Sequence, residues 1–161
     1  MEVDGSRVAL ITGGSRGIGR AIALKLASEG IRVAINYRGN QSAAQQVGQA
    51  IEQLGGEFLL CPGDVSSVAE SQHLVDQVLD HWHRIDILVN NAGITRDNLL
   101  LRMRPEDWDT VLATNLTGTF ACSGMRQTLK HQKSSAFPHH KSVTSLVKGS
   151  ASGNRLVISS G

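Results

Sequence analysis

One segment constrains the chain more than any other. An apolar run, Val8-Ala9-Leu10-Ile11, is followed at once by Thr12-Gly13-Gly14-Ser15-Arg16-Gly17-Ile18-Gly19. Helical apolar spacing then continues from Ile18 to Ser28. A strand, a glycine-rich turn and a helix in direct succession leave few foldable arrangements. In such a turn Gly13 permits the tight reversal, Gly17 lets backbone approach a pyrophosphate, and Gly19 lets helix and strand pack closely. The helix start offers unpaired N–H groups and the positive end of a dipole to an anion. A glycine-rich turn without a ligand is the bland alternative. The strand–turn–helix context argues against it.

The rest of the chain repeats the alternation. Arg32 to Asn36 predicts a second strand, and Gln41 to Leu54 a helix stopped by Gly55-Gly56. Phe58 to Cys61 predicts a third strand. Ser67-x-x-Glu70 predicts a capping box for a helix running to Trp82. Ile85 to Val89 predicts a fourth strand, and Pro105 opens a helix reaching toward Gln127. Short connections between alternating strands and helices predict an α/β fold, a doubly wound parallel sheet with helices on both faces. The strands read as continuous apolar runs, as both-face burial requires.

At 161 residues the chain fits one domain. Residues 131–154 break the order, being rich in Ser, Lys and His with weak periodicity, and read as an irregular segment. Arg155 to Ile158 then predicts a fifth strand, three residues before the end. Such a strand would leave an exposed edge, which invites pairing with another chain.

Composition removes several classes of function. Net charge is +2, too balanced for a nucleic-acid or membrane-surface partner. No apolar run approaches the ~20 residues of a membrane helix. Cys61 and Cys122 are the only cysteines, so neither a disulfide framework nor a short-spaced metal pair is present. His81 and His83, and His139-His140, lack the further ligands a metal site needs. No leader is visible before the first strand, and a reduced, cytoplasmic setting is expected.

The ends of the predicted strands carry the remaining chemistry. Dinucleotide sites selective for NAD place an acid after the second strand. Here the residues are Asn36-Tyr37-Arg38. No carboxylate repels a 2′-phosphate, and Arg38 and Arg16 can both pair with one. NADP is therefore the expected cofactor. Asp64-Val65 follows the third strand, where Asp64 can accept a hydrogen bond from an adenine amine. Asn90-Asn91-Ala92-Gly93 follows the fourth, offering small residues beside a ribose. Both lie where open α/β sheets bind ligands.

Thr12-Gly13-x-x-x-Gly17-x-Gly19, Asp64-Val65, Asn90-Asn91-Ala92-Gly93 and Asn115-Leu116-Thr117-Gly118 together resemble the short-chain dehydrogenase/reductase family. The run from Gly93 to Leu100, with Trp108 and Asn115, resembles its 3-oxoacyl-[acyl-carrier-protein] reductases. The resemblance implies a Rossmann-type sheet of strand order 3-2-1-4-5. It also implies reduction of a carrier-linked or other small carbonyl substrate with NADPH. The family's catalytic set is Asn, Ser, Tyr and Lys. Asn115 matches the first. Either Ser160, after Leu156-Val157-Ile158-Ser159, or Ser145, in Val143-Thr144-Ser145-Leu146-Val147, matches the second. The only tyrosine is Tyr37, and no Tyr-x-x-x-Lys occurs. The expectation is a C-terminally incomplete reductase domain without turnover of its own. The alternatives are a non-catalytic NADP-binding chain that pairs with itself or a full-length relative, and residues after His131 drawn from another frame or exon.

Overall fold

The computed structural model describes residues 6–124 and 145–147. Its sheet contains β1 (Val8–Ile11), β2 (Arg32–Tyr37), β3 (Phe58–Pro62), β4 (Ile87–Asn90) and β5 (Ser145–Val147). All pairings are parallel, in the order β3-β2-β1-β4-β5. The helices are α1 (Gly17–Ser28), α2 (Gln41–Gln53), α3 (Val68–Trp82) and α4 (Pro105–Leu112). The order therefore follows the doubly wound expectation.

Beneath the continuous apolar runs lies a period of two. Val8, Leu10, Ala34 and Leu88 face Leu74, Val75 and Val78 of α3. Ile11, Val33, Ile35 and Val89 face Ala23 and Ala27 of α1 and Val47 and Ile51 of α2. Each face is covered by helix, which is why no strand needed polar residues in alternation. Gly48 brings α2 against the sheet, since a Cβ there would overlap the Phe58 ring.

Two sequence expectations are corrected, and a third falls outside the described residues. The capping box is only half formed. Ser67 Oγ accepts from the Glu70 N–H at 3.3 Å, but the Glu70 carboxylate takes the Asp64 N–H at 2.6 Å. The helix from Pro105 is not uniform. After α4 it widens to a π-helical turn over Ala113–Thr117 and is α-helical again over 118–124. The fifth strand expected at Arg155–Ile158 lies outside the described residues, and the strand beside β4 is Ser145–Val147, within the segment read as irregular. Three residues are too few for a period to mark them, and edge pairing is made by backbone rather than by side-chain pattern. No helix among the described residues is long and apolar enough to cross a membrane.

Candidate functional site

The carboxyl ends of β1, β2, β3 and β4 open into one cleft of about 660 Å³. Its walls are the turn after β1, the residues after β2, the Gly63–Val65 loop, the Asn91–Ile94 loop and Thr114 of the π-helical turn. Of the residues that sequence reasoning assigned to nucleotide binding, all but Thr12 and Gly19 line it.

Most of the motif side chains hold one another in place. Thr12 is buried, and its hydroxyl donates to Val89 C=O and accepts from the N–H groups of Asn91 and Ala92, both at 3.0 Å. The Asn91 amide nitrogen returns two bonds, to Thr12 C=O at 3.1 Å and Gly13 C=O at 3.0 Å. The turn after β1 is thus tied to the loop after β4. Asn36 ties it to the other side. Its Oδ1 accepts from Gly13 N–H at 3.2 Å, and its Nδ2 donates to Cys61 C=O at 3.2 Å and Gly63 C=O at 3.0 Å. Thr12 and Asn36, expected as cofactor contacts, are struts of the frame. Tyr37 is likewise buried in the cluster with α1 and α2 residues, and it also lines the cleft.

Two glycines carry a conformational demand. Gly13 has φ +62° and Gly17 has φ +54°. A Cβ at Gly17 would stand in open space, so the turn presents bare backbone to the cleft. Gly19 serves differently from expectation. A Cβ there would overlap Gly13 C=O and the Asn91 amide, so it packs α1 on the turn itself.

The cleft is equipped for an anion. Arg16 is the N-cap of α1 and makes no side-chain cap bond, so the first-turn amides at Gly17 and Ile18 face the cleft without one. Asn91 Oδ1 and Thr114 Oγ1 are buried polar atoms with no hydrogen-bond partner among the described residues. Such atoms are costly unless a ligand or water meets them. These open amides, the uncovered backbone and the orphaned polar atoms fit a bound dinucleotide. Thr114 was missed by sequence reasoning because nothing in a lone helical threonine marks it.

Cations stand at the lip. Arg38 is 68% exposed and its Nε lies 3.1 Å from Asp64 Oδ2. Asp64 Oδ1 accepts from the Ser66 N–H at 2.9 Å and hydroxyl at 2.7 Å. Burial raises the Asp64 pKa, but the Ser66 bonds and the Arg38 charge outweigh it and hold the carboxyl below its ordinary value. The carboxylate expected to meet an adenine amine is therefore already engaged by Ser66 and Arg38.

Asn115 sits in the π-helical turn, an irregularity often found at functional sites. Its amide pairs twice with Ile94, accepting from N–H and donating to C=O, both at 2.9 Å. It thereby fixes the Gly93–Ile94 loop. Gly118 lets the following helix press on Val65, since a Cβ there would crowd the Val65 carbonyl at 2.7 Å. Ser145 opens β5 in register with Leu88, two positions before the carboxyl end of the strand. Ser160 lies outside the described residues. Among the described residues no group of three or more His, Cys, Asp or Glu is gathered as a metal site.

Residues 7–147 match the family described as short chain dehydrogenase. The chain belongs to the short-chain dehydrogenase/reductase family. A 3-oxoacyl-[acyl-carrier-protein] reductase of Synechocystis sp. is 45% identical over 143 residues, covering 88% of this chain and 58% of that protein. The 3-oxoacyl-[acyl-carrier-protein] reductase FabG of Staphylococcus aureus is 40% identical over 158 residues, covering 97% and 64%. Among solved structures, a Mycobacterium avium short chain dehydrogenase superposes with a TM-score of 0.80 at 32% identity, over 90% of this chain and 54% of that one. The chain thus spans about three fifths of the curated relatives it matches.

Proposed function

We propose that this chain binds NADP(H) in the cleft and represents the nucleotide-binding part of an NADPH-dependent reductase of 3-oxoacyl thioesters. The observation that carries the reading is the lip of the cleft. It holds Arg16 and Arg38 and no acid at the end of β2, where an NAD-selective site keeps one. The kinship with 3-oxoacyl-[acyl-carrier-protein] reductases supports a carrier-linked carbonyl substrate and a cytoplasmic setting.

When bound, the nicotinamide supplies the hydride. The residues here hold the nucleotide: the Gly13–Ile18 turn and the start of α1 take the phosphates, and Arg16 and Arg38 take the 2′-phosphate. Asn91, Ala92 and Gly93 would flank the ribose, and Asp64-Val65 would border the base. Proton delivery is a separate matter. A phenol with a pKa near 10 needs a neighbouring cation to act as an acid near neutrality. The only tyrosine, Tyr37, is buried in the core, and no Tyr-x-x-x-Lys occurs in the 161 residues. Loss of general-acid help alone costs roughly 10²–10⁴-fold. Asn115 acts by positioning the Gly93–Ile94 loop, and the serine role falls to Ser160 or Ser145.

Titrating the 161-residue chain with NADPH, with NADH as control, tests the reading. Saturable binding that prefers NADPH is expected, with no reduction of an acetoacetyl thioester above a blank. Absence of binding overturns the cofactor reading, and clear turnover overturns the inference of inactivity.

A second reading is a non-catalytic chain that docks on a full-length relative. One observation favours it. Trp108, Leu112, Leu116 and Phe120, spaced by four, are 54%, 37%, 64% and 76% exposed. Stripes of this kind on a soluble domain mark partner surfaces. Co-elution with a full-length relative, lost on Leu116→Glu, is the expected result. Elution as separate species removes the reading.

A further inference from the structure

The ion pair at the lip has a consequence for selectivity that rests on the NADP(H) reading. We propose that Asp64 is a charge brake on Arg38: its fixed carboxylate neutralises the guanidinium and limits how strongly the cleft prefers a ligand bearing a 2′-phosphate.

The two partners are held very differently. Asp64 is fixed from both sides. Its N–H donates to Glu70 Oε2, and its Oδ1 takes both Ser66 donors. The carboxylate cannot swing away when an anion arrives. Arg38 is largely exposed and tied through Nε alone. An exposed pair of this kind restrains an arginine only weakly. The preorganisation Asp64 gives Arg38 is therefore small, while its negative charge stays in the cleft whatever Arg38 does. Among the cleft-lining residues Arg16, in the turn after β1, is the other cation. It gives the site a positive charge that Asp64 does not contact in any described bond.

Asp64→Asn isolates the charge. Ser66 donates twice to Oδ1, so the amide oxygen takes that place and the new NH2 group faces Arg38 Nε. The loop keeps its Ser66 bonds while the negative charge is gone and Arg38 is released. Removing one charge several ångströms from a dianion in a water-like dielectric raises its affinity roughly three- to ten-fold. NADH, lacking that dianion, should change by less than about two-fold.

The experiment measures dissociation constants for NADPH and NADH by fluorescence titration of the 161-residue chain, with thermal melts of each variant. Four proteins are compared: wild type, Asp64→Asn, Arg38→Ala and the double variant. A brake raises the NADPH preference of Asp64→Asn over wild type. It also makes the double variant recover preference over Arg38→Ala, because that single variant leaves the carboxylate uncompensated. If Asp64→Asn lowers the preference, or the double variant matches Arg38→Ala, Asp64 positions Arg38 or does nothing, and the proposal is overturned. Equal weakening of both nucleotides indicates a structural role and also overturns it. A wild type that binds neither nucleotide, or both alike, overturns the NADP(H) reading and takes this inference with it. Should Asp64→Asn melt before assay, Ser66→Ala loosens the same carboxylate and must shift preference in the same direction, by a smaller factor.

Discussion

Replacing Asn36 with alanine should damage stability and ligand binding together. The side chain is 2% exposed and makes three hydrogen bonds, joining the turn after β1, the end of β3 and the loop beyond it. The bond to Cys61 C=O is fully buried, so water cannot replace it. Those to Gly13 and Gly63 are only partly buried, and water can serve them in part. With roughly 1 kcal/mol for each shared bond and more for a stranded buried carbonyl, the loss is about 2–4 kcal/mol. For a chain of this size that lowers Tm by roughly 6–12 °C. Urea unfolding measures the loss as a shift in midpoint at constant slope. Asn40→Ala is the control within the same connection. It removes one exposed cap bond, to Ala43 N–H, and should cost about 1 kcal/mol. Because Gly13 and Gly63 both border the cleft, NADPH affinity should fall as well in Asn36→Ala. A loss below about 1 kcal/mol with affinity unchanged would refute the strut assignment.

Gly19→Ala forces a methyl against Gly13 C=O and the Asn91 amide, so it should cost about 1–3 kcal/mol and weaken NADPH binding. A variant as stable and as tight-binding as wild type sinks the close-packing argument. Asn115→Ala removes both bonds to Ile94 and should cost about 1–3 kcal/mol, with faster amide exchange at Ile94 as its signature. Unchanged exchange there would count against Asn115 as the clamp of that loop. The Asp64 carboxyl is held below its ordinary value when folded, so its stabilisation is complete above the unfolded value and lost as pH falls through the lower folded one. The stability difference between wild type and Asp64→Asn should therefore be flat from pH 5 to 8 and shrink only below about pH 4. A difference that fades between pH 5 and 8 would contradict that.

Four strands and the first three helices were legible because their apolar residues are dense and most of their stops are glycines; α3 instead ends on His83 in the left-handed region. Of the helically spaced Ala44, Val47, Ile51 and Leu54, the first three are buried on the face of α2, while Leu54, at the helix end, is exposed. The π-helical turn was not legible. The apolar spacing of four runs through it from Trp108 to Phe120, and one extra residue per turn leaves no compositional trace. The strand beside β4 was not legible for a related reason. Apolar density favoured Arg155–Ile158, whereas the backbone of β4 pairs with Ser145–Val147, a stretch too short to show alternation.

The site was legible in place, but the sequence did not show how far its side chains also hold the frame, and the reason is physical. A motif residue next to a ligand must first be held, and the shortest side chains able to hold a tight turn are those that bond backbone. Thr12, Asn36, Asn91 and Asn115 each spend most of their hydrogen-bonding capacity on peptide groups of another loop. What remains for a nucleotide is therefore mostly backbone: the bare turn at Gly13 and Gly17 and the open start of α1. The side chains left to discriminate are few, namely Arg16, Arg38 with its partner Asp64, and the orphaned polar atoms of Asn91 and Thr114. On the proposed reading, shape and phosphate position are built redundantly by a network, while the choice between NADPH and NADH would rest on a handful of exposed charges. A single substitution in the network should be felt by both cofactors, and one at the lip by only one of them.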